Sequence, residues 1–342
     1  MMHANSSIKE TIARMESLVR RDPAHRGLLS SPDIDDLFPQ GQLLLAAENL
    51  AKHAHSLWIV TGFYIPGATP PAAESDGPLG ALLLASVLRD LGRRVELLTD
   101  PRCYPLVRET ALLTDFPLES VRECSEDHID SLESQPPPDL THLIAVERVG
   151  PSHTKDSFLA QLRSGEPPLE DFERKVPSTA RDHCHNMRGE VIDSFTGTLH
   201  RLFDFLPQAN PQLRTIGIGD GGNEIGMGKI PWEMLAARLP DLTPAKSICR
   251  IPTDWNILAG TSNWGAYALA AAVALLENRL DLLQRFTADQ QLRLLEALLE
   301  KQLVVDGVTR QFQPTVDGLP FLTYIQPWIS IRKQLNLDDP LS

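Results

Sequence analysis

LWIVTGFYIPGATPPAAESDGPLGALLLASVLRDLGRRVELLTD, residues 57–100, reads as a strand, a loop, a helix and a second strand. LWIVTG is a short β-rich run, and the Gly- and Pro-rich loop behind it extends to Gly77. Asp76 stands where a helix cap belongs, Pro78 suits the first helical turn, and Gly92 ends the helix before RRVELLTD opens the next strand. This is a βαβ unit, and its two strands must be parallel.

Outward from that unit, three more strands are readable: THLIAVE (141–147), LRTIGIG (213–219) and WNILAG (255–260), the last followed by an Ala-rich helix from Trp264 to Leu280. Ser7 to Arg20 carries Ile8, Ile12, Met15 and Leu18 at helical spacing and predicts an N-terminal helix packed on the body. The alternation predicts an α/β fold, with a doubly wound, mostly parallel sheet, crossover helices on both faces and this N-terminal helix. Residues 1–342 read as a single α/β domain. Residues 151–181, with GEPPLEDFERKVPS at their centre, lack periodicity and read as an insertion or a lid. Gln135–Pro138 is a short rigid connector.

Composition narrows the function. Lys and Arg number 32 against 45 Asp and Glu, a formal charge of -13, which repels phosphate backbones and anionic lipid and argues against a nucleic-acid partner. Cys103, Cys124, Cys184 and Cys249 form no CxxC pair and read as thiols of a reducing compartment. The longest apolar run, Leu269 to Leu276, falls short of the roughly 20 residues of a membrane span. A cytoplasmic protein is expected. The arginines before residue 27 raise the mitochondrial matrix as an alternative, against which Glu10, Glu16 and Asp22 argue. The P-loop, GxSxG and HExxH signatures are absent, so neither an ATP site nor those hydrolase classes is expected.

In an open α/β sheet ligands sit beyond the carboxyl ends of the strands. Those ends are acidic here: Glu74 and Asp76 after the first strand, Asp100 after the second, Glu147 after the third, and Asp220 and Glu224 after LRTIGIG. Such carboxylates repel one another unless a cation is bound, and an oxygen-rich set without thiolates suits Mg or Mn. Each taken singly could equally be a helix cap. GIGDGGNEIGMGKI (217–230) contains a literal GxGxxG at Gly217, Gly219 and Gly222, but Asp220 would intrude on a phosphate cradle and later glycines break the helix that motif requires. A polar or metal-binding turn is the preferred reading, and no NAD site is expected. In NMRGE, Arg188 suits a carboxylate clamp or a salt bridge to Glu190. His183, Cys184 and His185 read as structural, Asn263 as a helix cap or ligand donor, and Asp306 and Asp317 as two turns or an edge of the same pocket.

TGFYIPGATPPAAESDGPLGALLLASVLRDLGRRVELLTD (61–100), AVERVG (145–150), HNMRGE (185–190), GIGDGGNEIGMGKI, LAGTSNWGAYALAAA (258–272) and DGVTRQFQPTVDGLP (306–320) together resemble the D-glutamate cyclase C-terminal domain family. The resemblance implies a lyase that converts D-glutamate to 5-oxo-D-proline and water. The animal cyclase has an additional N-terminal domain, for which this chain is too short. For that chemistry Glu74, Asp76, Asp220 and Glu224 are expected to hold Mg or Mn, and Glu147 or Asp100 to act as base. Arg188 and Asn263 would orient the α-carboxylate, with Thr61, Gly62, Asn186 and Asn223 completing the contacts to an amino-acid substrate. A homo-oligomer is compatible with the sequence. A metal-dependent, phosphatase-like hydrolase of a small acid and a non-catalytic small-molecule binder are the alternatives.

Overall fold

The computed structural model describes residues 2–23, 28–29, 34–239 and 245–337. Its central sheet has six strands: β1 (Ser56–Thr61), β2 (Arg94–Thr99), β3 (Val121–Glu123), β4 (His142–Val146), β5 (Arg214–Gly219) and β6 (Trp255–Leu258). All pairings are parallel, in the order β3-β2-β1-β4-β5-β6. The order reverses between β1 and β4, and the chains leaving those two strands diverge and open a crevice at their carboxyl ends.

Successive side chains of a strand point to opposite faces. Leu57, Ile59, Leu97, Ile144, Val146, Ile216 and Ile218 join one apolar core, shared with helices Met2–Val19, Gln42–His53, Pro78–Asp90 and Ser262–Leu276. Trp58, Val60, Leu98, Leu143 and Ala145 join a second core beneath helices Glu126–Ser134 and Arg201–Ala209. With helices on both faces every residue of β1 is buried, which is why LWIVT shows no polar alternation.

The predicted N-terminal helix is present, with Ile12, Met15 and Val19 fully buried and Ile8 and Leu18 packed beside them. Glu16 on the same helix is also buried; its carboxylate accepts from the backbone N–H of Gly41 (2.7 Å) and Leu43 (3.3 Å), capping the Gln42–His53 helix, whose own cap residue is a glycine. The Ala-rich helix spans Ser262–Leu276; it starts earlier than expected because Thr261 caps it by accepting from Trp264 N–H, and it ends earlier, just before Asn278 takes a left-handed conformation at φ 56°. Strand β3 has no counterpart in the sequence reading, since three residues are too few to display a period. Residues 151–181 fold as two short helices, Lys155–Ala160 and Leu169–Lys175. Phe158 and Phe172 stack with centroids 4.2 Å apart, and Trp232 meets both edge-on.

Buried histidines give this fold an acid-sensitive side. His142 bridges Asn49 Oδ1 (2.9 Å) and Thr141 Oγ1 (3.0 Å) under β4, and burial pushes it down to about 4; burial likewise holds His153 at about 3. An unfolded histidine takes up its proton near 6.5. The neutral rings therefore stabilise the native state fully above that value, and this contribution is lost as pH falls from 6.5 towards 4. Thermal melts are expected to drop steeply over that window, and His142→Gln is expected to flatten the drop. An unchanged pH profile in the variant would contradict this role.

Candidate active site at the crest of the sheet

The crevice beyond β1 and β4 is a cavity of about 350 Å³ lined by Phe63, Tyr64, Glu74, Glu147, Asn186, Met187, Arg188, Asp220, Asn223, Glu224, Val308, Arg310 and adjoining backbone. Two helix N-termini meet at its floor and cap each other. Asp76 accepts from Ser262 N–H (2.7 Å) and Asn263 N–H (2.8 Å) at the start of the Ser262–Leu276 helix. Asn263 Oδ1 in turn accepts from Gly77 N–H (3.0 Å) and Gly80 N–H (2.7 Å) at the start of the Pro78–Asp90 helix. Asp76 thus caps a helix other than the one beside it in sequence. Asn263 donates an amide N–H to Ser75 O (3.0 Å) and is not among the residues that line the cavity, so its side chain holds the two helix starts together beneath it.

Glu147 follows β4 directly and adopts a left-handed backbone conformation, φ 47°, that non-glycine residues seldom occupy. That turn aims its carboxyl at the floor, where Ser262 Oγ donates to it at 2.6 Å. Gly77 (φ 94°) packs against it, and a Cβ there would come within 2.6 Å of the Glu147 Cβ. Asp76, Glu147 and Asp220 place carboxylate oxygens within 4.8 Å of one another, all three residues buried. Burial, followed by the charges of Asp220, Glu224, Glu74 and Asp76, holds the Glu147 carboxyl well above the usual carboxylate range.

Asp220 reaches this cluster because the chain after β5 does not enter a helix. It turns back and pairs with the segment behind β4: Ile225 N–H donates to Arg148 O (2.9 Å) and Gly150 N–H to Asn223 O (3.0 Å). Gly217 permits the return, since a Cβ there would lie 2.4 Å from Ile225 O. The next helix starts only at Trp232, so the literal GxGxxG lacks the strand-turn-helix context of a dinucleotide site. Glu224 accepts from Gly221 N–H (2.9 Å) and Gly222 N–H (2.7 Å), one oxygen each, and so closes the turn. The close triad therefore contains Asp76 and Asp220 of the expected metal set together with Glu147, while Glu74 and Glu224 stand on the wall.

Asp100 lies elsewhere. It is buried and ion-paired to Arg148 Nη1 (2.5 Å), and its other oxygen accepts from Arg102 and Cys103 N–H. Arg148 also donates to Gly62 O (2.8 Å) and Gly197 O (2.7 Å), tying the ends of β1 and β2 together. Asp100 does not line the cavity and is not placed to act as base. Gly62 and Thr61 are buried behind the wall, Gly62 against Cys103 and Thr61 accepting from Thr99 Oγ1 at 2.8 Å through its carbonyl.

The rim is basic. Arg188 borders the cavity and donates to Val308 O (3.3 Å); Glu190, its expected partner, is bonded by Asn186 Nδ2 (2.6 Å) and lies 3.6 Å from Arg310. Asn186 Oδ1 accepts from the N–H groups of Arg188 and Glu190, so this side chain shapes the NMRGE turn. Sequence reasoning did not single out Arg310; its signal was only its place inside DGVTRQ. Asp306 accepts from Val308, Thr309 and Gly318 N–H and thereby ties the two Val-Asp-Gly turns together, the first of which, at Gly307 and Val308, lines one edge of the cavity. A small sheet of Tyr64–Ile65, Ala72–Glu74 and Val304–Val305 carries that edge to the site. All four cysteines are free and buried, and among the described residues His183, Cys184 and His185 form no metal cluster.

The sequence profile of the D-glutamate cyclase-like, C-terminal family matches residues 15–160 and 173–328. The chain belongs to that family. The unmatched gap within the cyclase-like region, residues 161–172, lies inside the segment between Pro151 and Arg181. The chain is also similar to human D-glutamate cyclase, mitochondrial, with 29% identity over 285 residues, 80% of this chain. It spans 40% of the length of that relative. No helix among the described residues of this cyclase-like protein is long and apolar enough to cross a membrane.

Proposed function

We propose that this protein closes D-glutamate to 5-oxo-D-proline and water. The observation that carries the reading is the cavity's polarity, with buried carboxylates at the floor and Arg188 and Arg310 at the rim, in a chain of the cyclase-like family. The reaction forms a bond from the α-nitrogen to the γ-carbon and breaks one γ C–O bond. Two protons pass from the ammonium group to the departing oxygen, which leaves as water, and no net proton is released.

Three like-charged carboxylates in a buried cluster call for a cation, and an all-oxygen donor set fits Mg or Mn. Asp76, Glu147 and Asp220 would hold it, and when bound it supplies polarisation of a carboxylate oxygen. The arginines at the rim neutralise and orient the α-carboxylate through paired hydrogen bonds, leaving the γ-carboxyl to reach the floor. Glu74, buried in the wall and outside the close triad, is assigned the proton relay between nitrogen and departing oxygen.

Purified protein is expected to form 5-oxo-D-proline from D-glutamate and none from L-glutamate, followed by chiral chromatography with Mn or EDTA present. Product unaffected by EDTA would keep the cyclase and remove the metal, and phosphate release from phosphoesters without 5-oxoproline would replace the reading by a hydrolase. Glu74→Gln is expected to lower kcat by about 10²-fold or more while leaving Mn binding intact. A variant of near-normal kcat would return the relay to another group.

A further inference from the structure

Resting on the cyclase reading, we infer that Asn223 recognises the substrate amine through its side-chain carbonyl and holds it as a neutral nucleophile. Asn223 is 2% exposed and lines the cavity. Its Nδ2 donates to His185 O at 2.8 Å. Because His185 O can only accept, the amide has one permitted orientation, with Oδ1 turned away from His185. Oδ1 is buried and has no hydrogen-bond partner among the described residues. A buried acceptor left unpaired is costly, and a ligand N–H in the cavity would satisfy it.

The character of this acceptor matters for the chemistry. Most other acceptor side chains of the wall, Glu74, Glu147, Asp220 and Glu224, are carboxylates, which stabilise an ammonium ion and so keep the nitrogen protonated. Asn186 Oδ1 is engaged by two backbone N–H groups, and Tyr64 donates its hydroxyl to Pro71 O. Asn223 Oδ1 is thus a neutral amide acceptor left without a partner among the described residues of the cavity wall. It can bind an amine N–H without retaining the positive charge, leaving the nitrogen lone pair for the γ-carbon. The ligand class that follows is an acid bearing an N–H donor: an amino diacid or its lactam, in preference to an oxygen isostere.

The test compares 5-oxo-D-proline with its ring-oxygen counterpart, (R)-5-oxotetrahydrofuran-2-carboxylate, by isothermal titration calorimetry. The two differ at the ring position that carries the N–H. Wild-type protein is expected to prefer the lactam by about tenfold or more. Asn223→Ala should erase the preference. Asn223→Asp, which retains an acceptor and loses the amide N–H to His185, should preserve it. Equal loss in both variants would trace the effect to the His185 bond and overturn the inference, as would a preference that survives in Asn223→Ala. Wild-type protein that converts D-glutamate but does not distinguish the two ligands would overturn the role of Asn223 alone. Binding of neither ligand, without conversion of D-glutamate, would overturn the cyclase reading and this inference together.

Discussion

Arg148→Met is expected to destabilise the protein by about 3–5 kcal/mol, the cost of leaving a buried charge without its partner. Arg148 is 1% exposed, and its guanidinium reaches Asp100, Gly62 O and Gly197 O, so one side chain joins the ends of β1 and β2 to the loop at Gly197. Removing it strands the Asp100 carboxylate beside the Cys103 thiol, which burial and the Asp100 charge already push well above its usual range. The double replacement Arg148→Met with Asp100→Asn is expected to recover part of the loss, since the stranded charge goes with it. Urea denaturation of wild type, Arg148→Met, Asp100→Asn and the double variant measures the coupling. A loss below about 1 kcal/mol for Arg148→Met would show that the pair contributes no more than a surface contact.

Glu147→Gln is expected to stabilise the metal-free protein and to remove its response to divalent cations. The native carboxyl stays protonated above the pH at which an unfolded glutamate ionises, so native stability falls as pH rises from the ordinary carboxylate range through the raised native value. Glutamine does not titrate, keeps an oxygen to accept from Ser262 Oγ, and no longer adds charge beside Asp76 and Asp220. Metal-free wild-type protein should therefore lose stability relative to the variant as pH rises above the ordinary carboxylate range. In the wild type, Mn at 100 times its dissociation constant should add about 2.7 kcal/mol. The variant, short of one ligand, should lose most of that gain together with turnover. Mn stabilisation of equal size in both proteins, read by thermal melts, would take Glu147 out of the metal site.

Several expectations held at the level of chain segments and changed at the level of side chains. The βαβ unit over residues 57–100 and the strands ending near Glu147, Gly219 and Gly260 are where the hydrophobic runs place them, because a strand covered on both faces must be apolar throughout. Acids at strand ends were equally visible. Whether each acid enters the site was not, since a cap and a ligand carry the same residue types in the same place. Asp76 caps a helix and also stands in the close triad, Glu224 closes its own turn at the wall, and Asp100 is neutralised by Arg148, a residue the sequence reading passed over. Asn263, read as a cap or a ligand contact, caps the neighbouring helix and not its own.

By itself the sequence determined the parallel α/β sheet, the crest of carboxylates at its strand ends and the Gly-rich turn after β5, all of which follow from local periodicity and backbone freedom. Tertiary structure decided which acids converge. Strand order is a non-local property, and the reversal between β1 and β4 brings Asp76, Glu147 and Asp220 within 4.8 Å while leaving Asp100 behind the wall. The same holds for Arg310, more than two hundred residues from Glu74, which reaches the rim because Val304–Val305 pairs with Ala72–Glu74. Local pattern sets the end and face of an element on which a side chain sits; the distance to any other side chain depends on how the elements pack.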